Sequence, residues 1–124
     1  MAKPRILLVD DHPVIRQAVR QLLAKCPYDI CGEAGEGTDA LEMAKALEPD
    51  LVLLDVSMPG MTGIEVLHEI RHLEFQTKII FFTVHDRDYL KGFGADAIVT
   101  KSEDPGVLIQ TIDRVLGPHA GQHN

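Results

Sequence analysis

The chain has 124 residues, 45% of them hydrophobic, which suits one globular domain with one core. Its formal net charge of −7 argues against the concentrated basic surface that gripping a phosphate backbone requires, so direct nucleic-acid binding by this chain is not expected. The longest apolar runs, Leu51 to Leu54 and Ile79 to Phe82, are strand-sized against the roughly 20 residues that cross a bilayer, and no membrane association is expected.

In chain order, Ile6 to Val9 reads as a first strand. Pro13 then suits the first position of a helix whose apolar residues Val14, Ile15, Ala18, Val19, Leu22 and Leu23 recur at helical spacing. The acidic pair Asp10 and Asp11 interrupts the apolar stretch a signal peptide would need, so the protein is expected in the cytoplasm. Cys26 and Cys31 fit neither a zinc nor a thioredoxin spacing and read as small core hydrophobes. Tyr28 to Cys31 predicts a second strand, Gly32 to Gly37 a loop, and Thr38 to Leu47 a helix stopped by Pro49. Leu51 to Leu54 predicts a third strand, Ser57 to Thr62 a turn-rich loop, and Gly63 to Leu73 a third helix. Lys78 to Phe82 predicts a fourth strand, Asp88 to Phe93 a weak helix, Ala97 to Val99 a fifth strand and Pro105 to Leu116 a last helix. Residues 1–117 thus form one domain, with 118–124 a polar tail or the start of a linker.

Five strands alternating with helices, each a continuous apolar run, imply a parallel sheet covered on both faces, a doubly wound α/β fold. Chemistry in such sheets collects beyond the carboxyl ends of the strands, where strand order reverses. Asp10 and Asp11 end the first strand, Asp55 the third and Thr83 the fourth, and Lys101 follows the fifth. With strand order 2-1-3-4-5 the three carboxylates share one crevice and call for a cation. A single Asp at a strand end is more often a turn or cap residue. The set of acid, acid, hydroxyl and ammonium at successive strand ends is what carries the functional reading.

The stretches Leu8-Val9-Asp10-Asp11-His12-Pro13 and Leu53-Leu54-Asp55-Val56-Ser57-Met58-Pro59-Gly60-Met61-Thr62-Gly63, with Thr83 and Lys101, resemble the receiver domains of response regulators. They are most similar to the NarL/FixJ (LuxR-type) branch, whose receivers usually precede a helix-turn-helix DNA-binding domain. The resemblance runs from residue 5 to about 116 and implies a CheY-like fold. It implies that Asp55 accepts a phosphoryl group, that Asp10, Asp11 and Asp55 with the backbone carbonyl of Ser57 hold Mg²⁺, that Thr83 is the switch hydroxyl and that Lys101 is the active-site cation. The implied donor is a phosphohistidine on a sensor histidine kinase or phosphotransfer protein, with the domain catalysing only its own phosphorylation and the later hydrolysis. Transcriptional control would then pass through a domain outside this sequence. A stand-alone relay or a binding-only pseudo-receiver is the alternative. Two departures bear on output: Ile98 stands where the family often has an aromatic residue, and the interval from Thr83 to Lys101 is about one helical turn short. A short fourth helix is expected, and homodimerisation or partner binding should use a surface around helices one and five, near Arg16 or Arg114, rather than one near Lys91.

His68-Glu69-Ile70-Arg71-His72 matches the H-E-x-x-H pattern of zinc proteases. On a helical wheel, though, Ile64, Val66, Leu67 and Ile70 take one side and His68, Glu69 and His72 the other, which predicts a solvated face with no third ligand. Gly32 to Gly37 lacks the glycine order and lysine of a nucleotide loop. His12, His85, His119 and His123 read as loop or tail residues, with His85 close enough to Thr83 to influence hydrolysis of a phosphoryl group.

Overall fold

A computed structural model describes residues 3–117. Ten elements alternate without exception: β1 (Arg5–Val9), α1 (Pro13–Leu23), β2 (Asp29–Ala34), α2 (Gly37–Leu47), β3 (Leu51–Leu54), α3 (Gly63–Ile70), β4 (Lys78–Thr83), α4 (Arg87–Leu90), β5 (Ala97–Thr100) and α5 (Pro105–Leu116). The five strands form one parallel sheet in the order β2-β1-β3-β4-β5, as the sequence predicts.

Alternation along the strands divides the interior in two. Leu7, Val9, Val52, Leu54, Ile79 and Phe81 turn toward α2 and α3, meeting Ala40, Ala44, Val66, Leu67 and Ile70. Ile6, Leu8, Leu51, Leu53 and Ile80 turn the other way, against Val19 and Leu23 of α1 and Leu108 and Ile112 of α5. Both faces are covered, which is why the strands read as unbroken apolar runs. Each fully buried Leu or Ile contributes roughly 1.5–3 kcal/mol.

Three element boundaries differ from the sequence reading by more than one residue. β2 continues through Gly32 and Glu33 to Ala34, because this edge strand pairs with β1 across a register shift at Ile6/Leu7. Gly32 is therefore not loop, and its missing side chain leaves room for Leu47 and Leu7, whose Cδ1 atoms would lie 3.1 and 3.3 Å from a Cβ there. α3 starts at a capping box, with Thr62 accepting from the Glu65 N–H and Glu65 accepting from the Thr62 N–H, but it stops at Ile70 rather than Leu73. The apolar period runs on to Leu73, which packs on the core from a turn. α4 is a single turn, Arg87–Leu90, begun by Asp86 and followed by Gly92 and Gly94 in left-handed conformations. The fourth helix is short, as expected, and Ile98 packs against the α2/α3 core. The tail 118–124, with His119 and His123, lies outside the described residues. No helix among the described residues is long and apolar enough to cross a membrane.

Candidate active site

Hydrogen bonds just beyond the strands set the site residues in register. The Asp10 N–H donates to the Ala34 carbonyl (3.0 Å), the Asp55 N–H to Val9 (2.9 Å) and the Lys101 N–H to Thr83 (2.7 Å). These bonds align the residues at the carboxyl edge, where β1 and β3 are neighbours. A second constraint comes from Gly63, whose Cβ, if present, would lie 2.1 Å from the Asp55 carbonyl oxygen. Glycine lets the start of α3 close on the Asp55 backbone, and the Gly63 N–H donates to Val56 at 2.8 Å.

Asp10 and Asp55 are 5% and 3% exposed, and Thr83 is wholly buried. Lys101 Nζ lies 2.6 Å from Asp10 Oδ2 and 3.4 Å from Asp55 Oδ2, one ammonium shared between two carboxylates. Its charge also sits 5.8 Å from the Phe82 ring centroid. Burial first, and then the neighbouring charge of Asp10, hold the Asp55 carboxyl above its ordinary value, against the opposing pull of Lys101 and a backbone hydrogen bond from Ser57.

Ligand atoms of Asp10, Asp11, His12 and Asp55 lie within 4.8 Å of one another, the one cluster of metal-binding type among the described residues. Asp11 Oδ1 is buried and without a hydrogen-bond partner; His12 Nδ1 is 3.0 Å away but not aligned to serve it, being 3.1 Å from Asp10 Oδ1 as well. The three carboxylates of this cluster, one with an unsatisfied buried oxygen, suit a hard divalent cation such as Mg²⁺.

A family model for the response regulator receiver domain matches residues 6–113. The chain belongs to this family. It is 39% identical over 112 residues to the nitrate/nitrite response regulator protein NarL of Escherichia coli K12, covering 86% of this chain and 52% of that one. It is 31% identical over 116 residues to the chemotaxis protein CheY of Thermotoga maritima, covering 90% and 96%. A two-component response regulator of the LuxR family from Aurantimonas sp. SI85-9A1 superposes with a TM-score of 0.86 at 35% identity, over 92% of this chain and 85% of that one. The chain thus spans about half the length of NarL. It is a receiver domain of a two-component response regulator, consistent with the NarL/FixJ branch.

Within the receiver domain, Asp10, Asp11, Asp55 and Lys101 converge, and the Thr83 hydroxyl accepts from the His85 N–H at 3.3 Å. Ser57 is exposed beside them, its Oγ 2.6 Å from His85 Nε2. His68 and Glu69 lie exposed on α3 and His72 in the turn after it, and none of them belongs to a cluster of three metal-ligating residues among the described residues. Two contributors, His12 and Arg16 with its partner Glu33, escaped the sequence reading, and of a third, His85, only its nearness to Thr83 was anticipated. His12, taken as a loop residue, touches both Asp10 and Asp11, and its N–H donates to Asp10 at 2.9 Å. Arg16 donates to the Asp10 carbonyl and, at 2.9 Å, to Glu33, which also takes Arg20. The Arg20 hydrogen bond, chiefly, holds the Glu33 carboxyl below its ordinary value. His85 bonds Ser57, across the mouth of the cleft. Adjacency to Asp11 and to Thr83 was the available signal for the two histidines. No pattern pointed to Arg16 and Glu33, because β2 was ended before Glu33.

Proposed function

We propose that this receiver domain takes a phosphoryl group onto Asp55, using Mg²⁺ held by Asp10, Asp11, Asp55 and the Ser57 carbonyl. The observation that carries this reading is the buried Asp55 carboxylate facing Lys101, beside an acidic cluster whose Asp11 Oδ1 has no partner. Bound Mg²⁺ would supply positive charge that offsets repulsion between the carboxylates and an incoming phosphoryl group. An Asp55 oxygen attacks phosphorus, the donor's bond to phosphorus breaks, and an acyl phosphate forms. Asp55 acts as nucleophile and exchanges no proton in this step. Lys101, already between Asp10 and Asp55, stabilises the developing anion by position. Thr83 accepts from the His85 N–H and so keeps its own hydroxyl proton to donate. The added group brings about −1.5 to −2 charge, and the Thr83 hydroxyl turns to it, carrying the loop that leads into α4.

The donor in this reading is a phosphohistidine on a sensor histidine kinase or phosphotransfer protein, met by this domain in the cytoplasm, and the response passes to transcription through a DNA-binding domain outside the present sequence. The test is incubation with Mg²⁺ and acetyl phosphate, read by intact mass. One added phosphoryl group is expected, absent in Asp55→Asn and absent after chelation. Labelling that persists in Asp55→Asn, or that needs no divalent ion, overturns the assignment.

A further inference from the structure

The H-E-x-x-H stretch is left without a role by the receiver chemistry, yet its two histidines are arranged for a ligand. His68 and His72 stand one turn apart at the end of α3, both exposed, with ring centroids 5.3 Å apart. Two imidazoles on one ion, with metal–nitrogen bonds of about 2.0–2.1 Å and tetrahedral angles, place their centroids roughly 5 Å apart. The rings already have that spacing. His72 Nδ1 is 2.7 Å from the His68 carbonyl oxygen, which only accepts, so Nδ1 carries the proton. In the neutral ring this leaves the Nε2 lone pair free, the arrangement by which metal-bound histidines are commonly oriented. Among the described residues no side-chain hydrogen bond engages either nitrogen of His68. Glu65 and Glu69 share this face at helical spacing and add negative charge.

We propose that His68 and His72 chelate one divalent transition ion of the borderline class, Cu²⁺, Ni²⁺ or Zn²⁺, with water completing its coordination. Imidazole nitrogen selects these ions over Mg²⁺, and affinity rises toward Cu²⁺. The site lies at the far end of α3 from Asp55, separated by the roughly 10 Å of helical rise over Gly63–Ile70 at 1.5 Å per residue. It can therefore be loaded while Mg²⁺ fills the acidic cluster. An ion there ties together the turn that carries Arg71, which links this end of α3 to Asp96 and Gly94.

The test uses the full chain with saturating Mg²⁺, so that the carboxylates are already occupied. Substoichiometric Cu²⁺, followed by amide NMR, is expected to broaden residues 65–75 first. Calorimetric titration with Ni²⁺ is expected to give a site that His68→Gln or His72→Gln weakens about tenfold or more and that His12→Gln leaves intact. Both variants are surface changes, and circular dichroism checks their fold. Broadening confined to Asp10–His12 or to the His119/His123 tail overturns the proposal, as does Ni²⁺ affinity unaltered in the double variant.

Discussion

Asp55 and Asp96 sit at opposite ends of the sheet, and each faces one cation. The Asp96 carboxylate meets Arg71 at 2.9 Å and accepts from the Ile79 N–H at 2.8 Å, while the same guanidinium donates to the carbonyls of Thr77 (2.8 Å) and Gly94 (3.0 Å). Every partner there is in hand, and the ends of α3, β4 and β5 are tied together. Asp55 instead shares Lys101 with Asp10, next to the unpartnered Asp11 Oδ1. One end of the sheet is complete as the chain folds, whereas the other leaves charge for a ligand to satisfy. The first arrangement supports stability and the second gives up some stability for binding.

Breaking the complete end has the largest expected effect. Arg71→Ala removes donors to three acceptors and should cost about 2 kcal/mol, a figure kept modest because the pair is about one-third exposed. Thermal melts followed by circular dichroism read this directly, since the chain has no Trp. The shift that Mg²⁺ produces should be unchanged in this variant. A lost Mg²⁺ response would mean that the two ends are coupled.

At the incomplete end the sign reverses. Asp55→Asn removes a buried charge held among like charges and should raise metal-free stability by about 1 kcal/mol, or roughly 4 °C. In the unaltered chain Mg²⁺ binds the folded site and not the unfolded chain, giving about 1.4 kcal/mol at ten times its dissociation constant. Asp55→Asn should lose most of that gain. Identical melts with and without millimolar Mg²⁺ would remove the basis for the comparison.

A smaller effect follows from pH. The Asp55 carboxyl is raised above its ordinary 3.8 in the folded, metal-free state, so the folded chain holds this proton more tightly than the unfolded one. The penalty is absent below the unfolded value and grows as pH rises through the raised folded value. The stability gap between Asp55→Asn and the unaltered chain should therefore be smallest near pH 4 and widen as pH rises above it. Melts of both proteins across that range, without metal, test it. A gap that stays constant would mean that Asp55 is not the group responsible.

The two ends were also unequally legible in the sequence. Asp10, Asp11, Asp55, Thr83 and Lys101 stand at strand ends, and a parallel sheet brings strand ends together, so periodicity alone located them. The parallel sheet was likewise readable from the alternation of apolar runs, whereas its strand order and the shortness of the fourth helix rested on the resemblance to receiver domains, the latter through the short interval before Lys101. Arg71 and Asp96 were invisible to that reasoning, since side chains that fasten turns follow no period. His12 and Arg16 escaped for the same reason, and His85 was placed near Thr83 without its bond to Ser57. Glu33 was lost through Gly32, which signals a turn in sequence but here makes room for Leu47 and Leu7 within an edge strand.

The smallest expected effect belongs to α4, beside the incomplete end. Lys91 pairs with Asp88 at 3.1 Å, but the two side chains are 69% and 82% exposed, and such pairs contribute little in water. Lys91→Glu should change stability by no more than about 0.5 kcal/mol. It also bears on output, because a helix of one turn followed by two glycines in left-handed conformations presents little surface, and Ile98 has no ring to swing between buried and exposed rotamers. Phosphorylation-dependent association, measured by light scattering, should therefore survive Lys91→Glu and be weakened by Arg114→Glu on the exposed face of α5. Arg16, the corresponding basic residue of α1, is unsuited to this test because it holds the Asp10 carbonyl and Glu33, so its reversal would disturb the site itself. If Lys91→Glu alone abolishes association, the single turn of α4 is the working interface and the surface of helices one and five is not.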